Sequence, residues 1–451
     1  MSRRAALCCC ALLCALIITT AARSQQSQLE GMIDRDLPSL VSTYKSLHEA
    51  PELSRHEEKT SAFVAGQLRA LGYAVTERIG KYAGHPEFTG YGVVGVLKNG
   101  EGPTVYVRTE LDALPIEEQT GLPYASKVRT QDDAGRTLGV MHACGHDIHI
   151  TSFLGTAKMM VELRDKWCGT LVMLAQPAEE GGNGAQAMLD DGLYTRFPRP
   201  DYVVALHDSP DLEAGKVGYT PGYAMASSTS VDVILRGVGG HGSQPQVAKD
   251  PIVEAAQFIL AIQTIVSRED SPFDPAVVTV GSIHGGTRGN IIPDEVRMQL
   301  TIRTYKEEVR QHILAALDRM AKGIAAADGV PAARPPTVTV SENAYPALYN
   351  DPQLTERLAQ VFKNALGQGN VVEGQPIMAS EDFGRFGLEN HQIPVCQFGL
   401  GAVDSAKLAE SRRTGVPLPG LHSSLWAPVP EPTLRTGVKA MTSAALELMR
   451  K

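Results

Sequence analysis

Acidic and imidazole side chains stand just past the ends of short β-rich runs, and this placement most constrains the fold. Thr104 to Arg108 is followed by Glu110 and Asp112, Thr170 to Ala175 by Glu179 and Glu180, and Tyr202 to Leu206 by His207. Helical stretches separate these runs, an alternation that specifies an α/β fold with a largely parallel sheet. In an open sheet of that kind the loops at the carboxyl ends of the strands line one crevice. Residues far apart along the chain are therefore expected to converge there.

From Leu29 to Leu47 the residues Met32, Ile33, Leu37, Leu40, Val41, Tyr44 and Leu47 recur at helical steps, predicting a one-sided helix that ends before Pro51. Phe63, Val64, Leu68 and Leu71 predict the inner stripe of a second helix, with Gly72 as its cap. Tyr91 to Leu97 reads as another strand, joined to Thr104 to Arg108 by Asn99-Gly100-Glu101-Gly102-Pro103. Between Tyr223 and Pro336 the pattern changes. A strand-like stretch from Thr229 to Leu235, the glycine-rich Gly237 to Gly242, a helix near Pro251 to Val266, strands around Val277 to Val280 and Val296 to Ile302, and a helix near Glu307 to Ala327 read as an inserted α+β unit. The chain then returns to α/β patterning and ends in a helix from Glu431 to Met449. Two domains follow: residues 28–222 with 340–451, built on a mixed, mostly parallel sheet, and a smaller inserted α+β domain over 223–339.

A chain of 451 residues with 43% hydrophobic content is long enough for two packed cores. Ser2-Arg3-Arg4, the apolar run Ala5 to Ile18 and then Thr20-Ala21-Ala22 predict a secretory signal over residues 1–22, with cleavage after Ala22 and export to the periplasm or medium. The run is too short for a comfortable membrane span, so no stable span is expected. Cys8, Cys9, Cys10 and Cys14 leave with that segment. Cys144, Cys168 and Cys396 remain, an odd number that argues against a disulfide framework. Loss of Arg3 and Arg4 moves the formal charge from −8 to −10, and no basic run survives to follow a phosphate backbone. Nucleic acid is excluded as a partner on that ground.

Five donors stand in short motifs: Cys144 and His146 in MHACGHD, Glu180 in QPAEEGG, His207 in VVALHD and His422 in GLHSSLW. Thiolate, imidazole and carboxylate together suit zinc or a similar ion, and five donors exceed the need of one tetrahedral site. A dinuclear hydrolase is expected. An amide carbonyl is a poor electrophile and water a poor nucleophile at neutral pH, and divalent ions help both. The pair Glu179-Glu180 divides naturally into one carboxylate that ligates and one that moves the proton from water to the departing amine. Taken singly each motif is weak: a lone histidine at a strand end is more often a structural hydrogen-bonder, and Glu-Glu pairs are usually solvated. Their joint occurrence in this order carries the weight.

RTELDALPIEEQTG, MHACGHDIH, AQPAEEGGNGA, GVGGHGSQP, GGTRGNIIPD, MASEDF and LHSS, with LHEAPELSRHEEKT near the start, together resemble the amidohydrolase branch of the dinuclear metallopeptidases. That branch includes aminoacylases, hippurate hydrolases and plant auxin-conjugate hydrolases. The resemblance runs from Leu29 to the C-terminal helix and implies a zinc-exopeptidase-like catalytic domain whose insert serves as lid and homodimer contact. It implies that Cys144 bridges two divalent ions, with Glu180 and His422 completing one site and His146 and His207 the other. Zinc is expected first, with manganese, cobalt or nickel also compatible. Glu179 is implied to be the general acid/base, Asp112 the acid that orients a ligating imidazole, and His241 a donor to the oxyanion, often across a dimer contact. Asn290 and Arg303 are candidates for the carboxylate of an amino-acid product, Arg303 through a two-pronged hydrogen bond, although a surface salt bridge explains Arg303 nearly as well. His142 and His149 flank the metal motif with no assigned role. Two departures stand out: Glu110-Leu111-Asp112 where the branch carries Asp-Met-Asp, and Pro245-Gln246 where it carries Pro-His.

The expected activity is hydrolysis of the amide of an N-acyl amino acid, or a small peptide-like relative, to a carboxylic acid and an amino acid. Three rivals stay open. One is a dipeptidase or carboxypeptidase using the same ions. Another is a Cys144 nucleophile with His146 as its base, and the third is a metal- or solute-binding protein with no turnover.

Overall fold

The computed structural model describes residues 3–131, 135–341 and 344–451, apart from the side chains of residues 3–25 and Glu389. The expected signal, residues 1–22, falls outside the described side chains. Among the described residues no helix is long and apolar enough to cross a membrane.

The chain divides into two compact units: residues 1–221, 351–374 and 386–451, and residues 222–350 with 375–385. The first is built on an eight-stranded sheet in the order Ala74–Ile79, Gly92–Asn99, Gly169–Gln176, Thr104–Glu110, Tyr202–Glu213, Val395–Val403, Val217–Tyr219, Val371–Glu373. The four strands from Gly169–Gln176 to Val395–Val403 run parallel, and antiparallel pairings flank them on both sides. Central parallel strands are covered on both faces and so read as continuous apolar runs. Val105 and Val107 enter the main core with Leu171, Met173 and Ala175, while Tyr106 and Arg108 alternate onto the other face, where the Arg108 side chain donates to Gln176.

Helices Arg3–Glu49, His146–Glu162 and Pro430–Leu448 pack on one another, and Pro352–Leu366 packs on the last of them. Their apolar stripes close the core with Ile33, Leu37, Tyr44, Phe153, Phe362 and Val438. The helix expected from Glu431 begins at Pro430, a residue suited to a first turn because the N–H it lacks has no partner there anyway. In Glu58–Ala70 the inward residues are Thr60, Ser61, Val64, Ala65 and Leu68. Phe63, expected on the inner stripe, lies outside it at 36% exposure.

The second unit holds a four-stranded antiparallel sheet in the order Ala276–Gly285, Glu295–Thr304, Ser227–Arg236, Thr337–Val340. Helices Pro251–Thr264 and Glu307–Ala327 pack together and against this sheet, and share a core with it through Phe258, Ile262, Ile313, Leu317, Val233, Met298 and Ile302. Alternate burial along Glu295–Thr304 places Val296, Met298, Leu300 and Ile302 inward.

Candidate metal centre

Register brings the first unit's polar motifs to one level. Glu110 pairs with Gln176, and Ala205 pairs with Arg108, so His207, two residues further on, is level with Glu110. His207 lies inside its strand, which continues to Glu213, rather than in a loop after it. Helix His146–Glu162 starts beside these strand ends, and its N-cap Gly145 takes φ 77°. A Cβ there would lie 2.1 Å from Asp208 Oδ2, so this close approach of backbone to carboxylate requires glycine.

All five candidate ligands come together in this unit. Cys144 Sγ lies 3.5 Å from His207 Nε2 and 3.4 Å from His422 Nε2, and His422 Nε2 is 3.4 Å from Glu180 Oε1. Donor atoms of Cys144, His146 and His207 lie within 4.8 Å of one another, as do those of Cys144, Glu180 and His422. Cys144 belongs to both groups. His422 arrives from 278 positions away. It adopts φ 64° and donates its backbone N–H to the Ala143 carbonyl at 2.8 Å, which ties the late motif to the cysteine loop.

Two of the three imidazoles are aimed from behind. His146 Nδ1 donates to the Asp112 carbonyl at 2.8 Å, and His207 Nδ1 to the Asp208 carbonyl at 2.8 Å, leaving Nε2 of both rings to bind. His146 is therefore held chiefly by the main chain of Asp112, whose carboxylate Oδ1 is at 3.6 Å. That carboxylate is occupied elsewhere: it accepts the Ser54 hydroxyl at 2.6 Å and the backbone N–H groups of Glu179 and Glu180 at 3.1 and 3.0 Å.

The electrostatics fit bound cations. His146 Nε2 is buried with no hydrogen-bond partner. Burial lowers the pKa of His146, but Asp112, Glu110 and Glu180 more than offset this and push it up to about 10. Burial first, then Glu180, Glu179 and Asp208, push the Cys144 thiol well above its usual range. A bare thiolate in such surroundings is unfavourable, and divalent ions among these donors reverse the balance. The same facts weigh against a Cys144–His146 nucleophile pair, since the thiol contacts His207 and His422.

Behind the candidate donors lies a layer to which the sequence alone assigned no role. His149 is buried between Glu110 Oε2 at 3.0 Å and Asp208 Oδ1 at 3.2 Å, with its ring 4.7 Å from that of His207. Burial lowers its pKa, but those two carboxylates raise it to about 9. Arg108 pairs with Glu110 in the same buried layer. Glu57 is buried beside Asp112, and burial together with that charge pushes it up to about 8. His142 is buried and held at about 4 by desolvation.

His241, Asn290 and Arg303 belong to the second unit. His241 pairs with Ile291, and the next residue, Gly242, donates its N–H to the Asn290 carbonyl at 2.9 Å, so His241 and Asn290 are neighbours. His241 Nδ1 accepts the Ser243 N–H at 3.1 Å, which leaves the ring hydrogen of the neutral form on Nε2. Arg303 is half-buried and donates to Ser380 Oγ at 2.8 Å; among the described residues it makes no ion pair with a carboxylate. A cavity of about 490 Å³ in this unit is lined by Tyr223, Phe273, Tyr305, Lys306 and Met378 and by none of the candidate ligands.

With a thiol, three imidazoles and paired glutamates in one cluster, similarity to known proteins becomes informative. Residues 106–414 match peptidase family M20/M25/M40. The chain belongs to this family. It is 39% identical over 343 residues to a hippurate hydrolase of Campylobacter jejuni, covering 75% of this chain and 82% of that protein. It is 35% identical over 415 residues to thermostable carboxypeptidase 1 of Saccharolobus solfataricus, covering 91% and 96%. A Bacillus subtilis structure described as a dinuclear metal binding peptidase from this family superposes with a TM-score of 0.72 at 27% identity, covering 92% of this chain and 99% of that one. The M20 chain thus has a mixed α/β fold and is a hydrolase of amide bonds, as its motifs indicate.

Proposed function

We propose that this M20 protein cleaves the amide bond of N-acyl amino acids, giving a carboxylic acid and a free amino acid. The observation that carries the reading is the convergence of Glu179 and Glu180 with Cys144, His146, His207 and His422 in one cluster, in a chain similar to a hippurate hydrolase. Two divalent ions, zinc first and manganese, cobalt or nickel as alternatives, would be held with Cys144 shared, Glu180 and His422 on one side and His146 and His207 on the other. Bound there, they supply Lewis-acid polarisation of the scissile carbonyl and make water more acidic.

Glu179 does the proton work. Its Oε2 lies 3.9 Å from His146 Nε2, at the edge of the donor cluster, and the residue is 5% exposed. It takes a proton from the attacking water and returns it to the departing nitrogen. His241, through Nε2–H, steadies the developing oxyanion, and Asn290 and Arg303 bind the product carboxylate. The half-buried Arg303 with no carboxylate partner among the described residues supports that last assignment.

Lid and dimer functions fall to the second unit. Strand Ala276–Gly285 ends its sheet, and helix Pro251–Thr264 exposes Val253 and Leu260 at 51% and 74%, which supports self-association. Export rests on the N-terminal pattern: cleavage after Ala22 gives a mature N-terminus at Arg23, which intact-mass measurement of secreted protein checks.

Carboxypeptidase action is the second reading, favoured by the similarity to the archaeal enzyme. Rates on N-acetyl and N-benzoyl amino acids, set against those on unblocked dipeptides and with and without chelator, separate the two. Faster turnover of unblocked dipeptides overturns the first reading.

A further inference from the structure

The turn presenting Glu179 and Glu180 is held by two buried carboxyl groups, and one of them belongs to a segment far along the chain from any candidate ligand. Ala178 sits at φ 48°, a left-handed conformation that costs a non-glycine residue roughly 1–2 kcal/mol. Three successive N–H groups emerge from this turn toward carboxylate oxygens. Ala178 donates to Glu57 Oε1 at 2.8 Å, Glu179 to Asp112 Oδ1 at 3.1 Å and Glu180 to Asp112 Oδ2 at 3.0 Å. Glu57 Oε1 also accepts the Arg55 N–H at 2.8 Å, and Asp112 accepts the Ser54 hydroxyl. The segment Ser54–Glu57 is thereby tied to the turn. Both carboxyl groups are completely buried.

Neither a helix nor a sheet ladder satisfies three consecutive donors that all find partners in side-chain carboxylates. Without acceptors they would be buried and unpaired, each costing about 1–3 kcal/mol. We propose that Glu57 is a positioning residue for the general base: with Asp112 it fixes the left-handed turn at Ala178 and so sets the direction in which the Glu179 side chain leaves the backbone. This rests on Glu179 being the base. What Ala178 and Arg55 need from Glu57 is an oxygen acceptor. A glutamine at 57 keeps that oxygen, whereas a leucine fills similar space without it. Misplacement of a reacting group by about 1 Å costs on the order of 100-fold in rate.

The test uses the full chain loaded with zinc, in parent, E57Q, E57L and E179Q forms, measuring kcat, KM, bound metal and melting temperature on an N-acyl amino acid. Expected is a fall in kcat of about 10- to 100-fold for E57L, with KM and metal content as in the parent, and return of most of the rate in E57Q. Parental kcat in E57L, an E57Q protein as slow as E57L, or a loss confined to KM or metal content overturns the proposal. Should E57L not fold, E57D keeps a carboxylate one methylene short of the turn. A lower kcat at unchanged KM in E57D then supports the clamp, and parental kcat overturns it. An E179Q protein as fast as the parent overturns the base assignment instead, so the two failures are distinguishable.

Discussion

His146 and His207 present the same ring nitrogen because each spends the other on a backbone carbonyl, at Asp112 and Asp208. Asp208 does more: its carboxylate Oδ1 contacts His149 Nε2 at 3.2 Å and lies 3.4 Å from His207 Nδ1. An Asp208→Asn protein keeps the main-chain carbonyl but loses that negative charge. Its metal affinity is expected to fall by about 10- to 100-fold, read by competition with a chromogenic chelator. Unchanged affinity would remove Asp208 from the site. The candidate donors Cys144, His146, Glu180, His207 and His422 were legible in the sequence because their short motifs occur together in one chain and in this order, although each motif alone is weak. Ser54, Glu57, His149 and Asp208 were not, because their partners lie 58, 121, 39 and 59 positions away and no local spacing announces them.

At the scale of elements, two features carry predictions. Gly145 caps helix His146–Glu162 with its Cα against Asp208, so Gly145→Ala combines a left-handed φ with a steric clash. A loss of about 1–3 kcal/mol in denaturant unfolding is expected, and a change under a few tenths would show that the loop yields. His48, in the last turn of Arg3–Glu49, joins that helix to Asp147 at 2.6 Å and to Glu118 at 3.1 Å. Burial lowers its pKa, but hydrogen bonds to those two carboxylates raise it to about 10 from 6.5. A raised folded-state pKa means the folded protein holds this proton more tightly than the unfolded chain. The stabilisation is full below about pH 6.5 and fades as pH rises toward 10. Unfolding free energies measured from pH 6 to 10 should show parent and His48→Gln converging as pH rises, and a gap that widens instead contradicts the assignment. Phe63 illustrates where element-level reading stops. Helical spacing put Phe63 on one stripe with Val64 and Leu68, and the packing of Val64, Ala65 and Leu68 into the main core leaves Phe63 at its edge. The three-residue strands Val217–Tyr219 and Val371–Glu373 likewise exist through pairing across the sequence, with too few residues for a period.

For the whole molecule, ligand binding and folding are linked. The five candidate donors come from the turn after Gly169–Gln176, the strand Tyr202–Glu213, the loop and first residue of helix His146–Glu162 and a late loop, so ions that bind only the folded arrangement stabilise all of it. At free metal 100-fold above its Kd, removal by chelator is expected to lower unfolding free energy by about 2.7 kcal/mol per site. Turnover should vanish with the metal and return on adding zinc or manganese, whereas activity that survives metal depletion contradicts the dinuclear reading. The proposed self-association is checked by light scattering of a Leu260→Glu, Ile283→Lys double variant, expected to be monomeric where the parent is dimeric. A monomeric parent removes the proposal.

The latch between His422 and the Ala143 carbonyl carries a temporal consequence. Because His422 stands 278 positions after Cys144, the proposed ion cradle is complete only once the segment that carries His422 has been made and has docked. A chain truncated between His207 and His422 is therefore expected to keep four of the five proposed donors and to show no turnover.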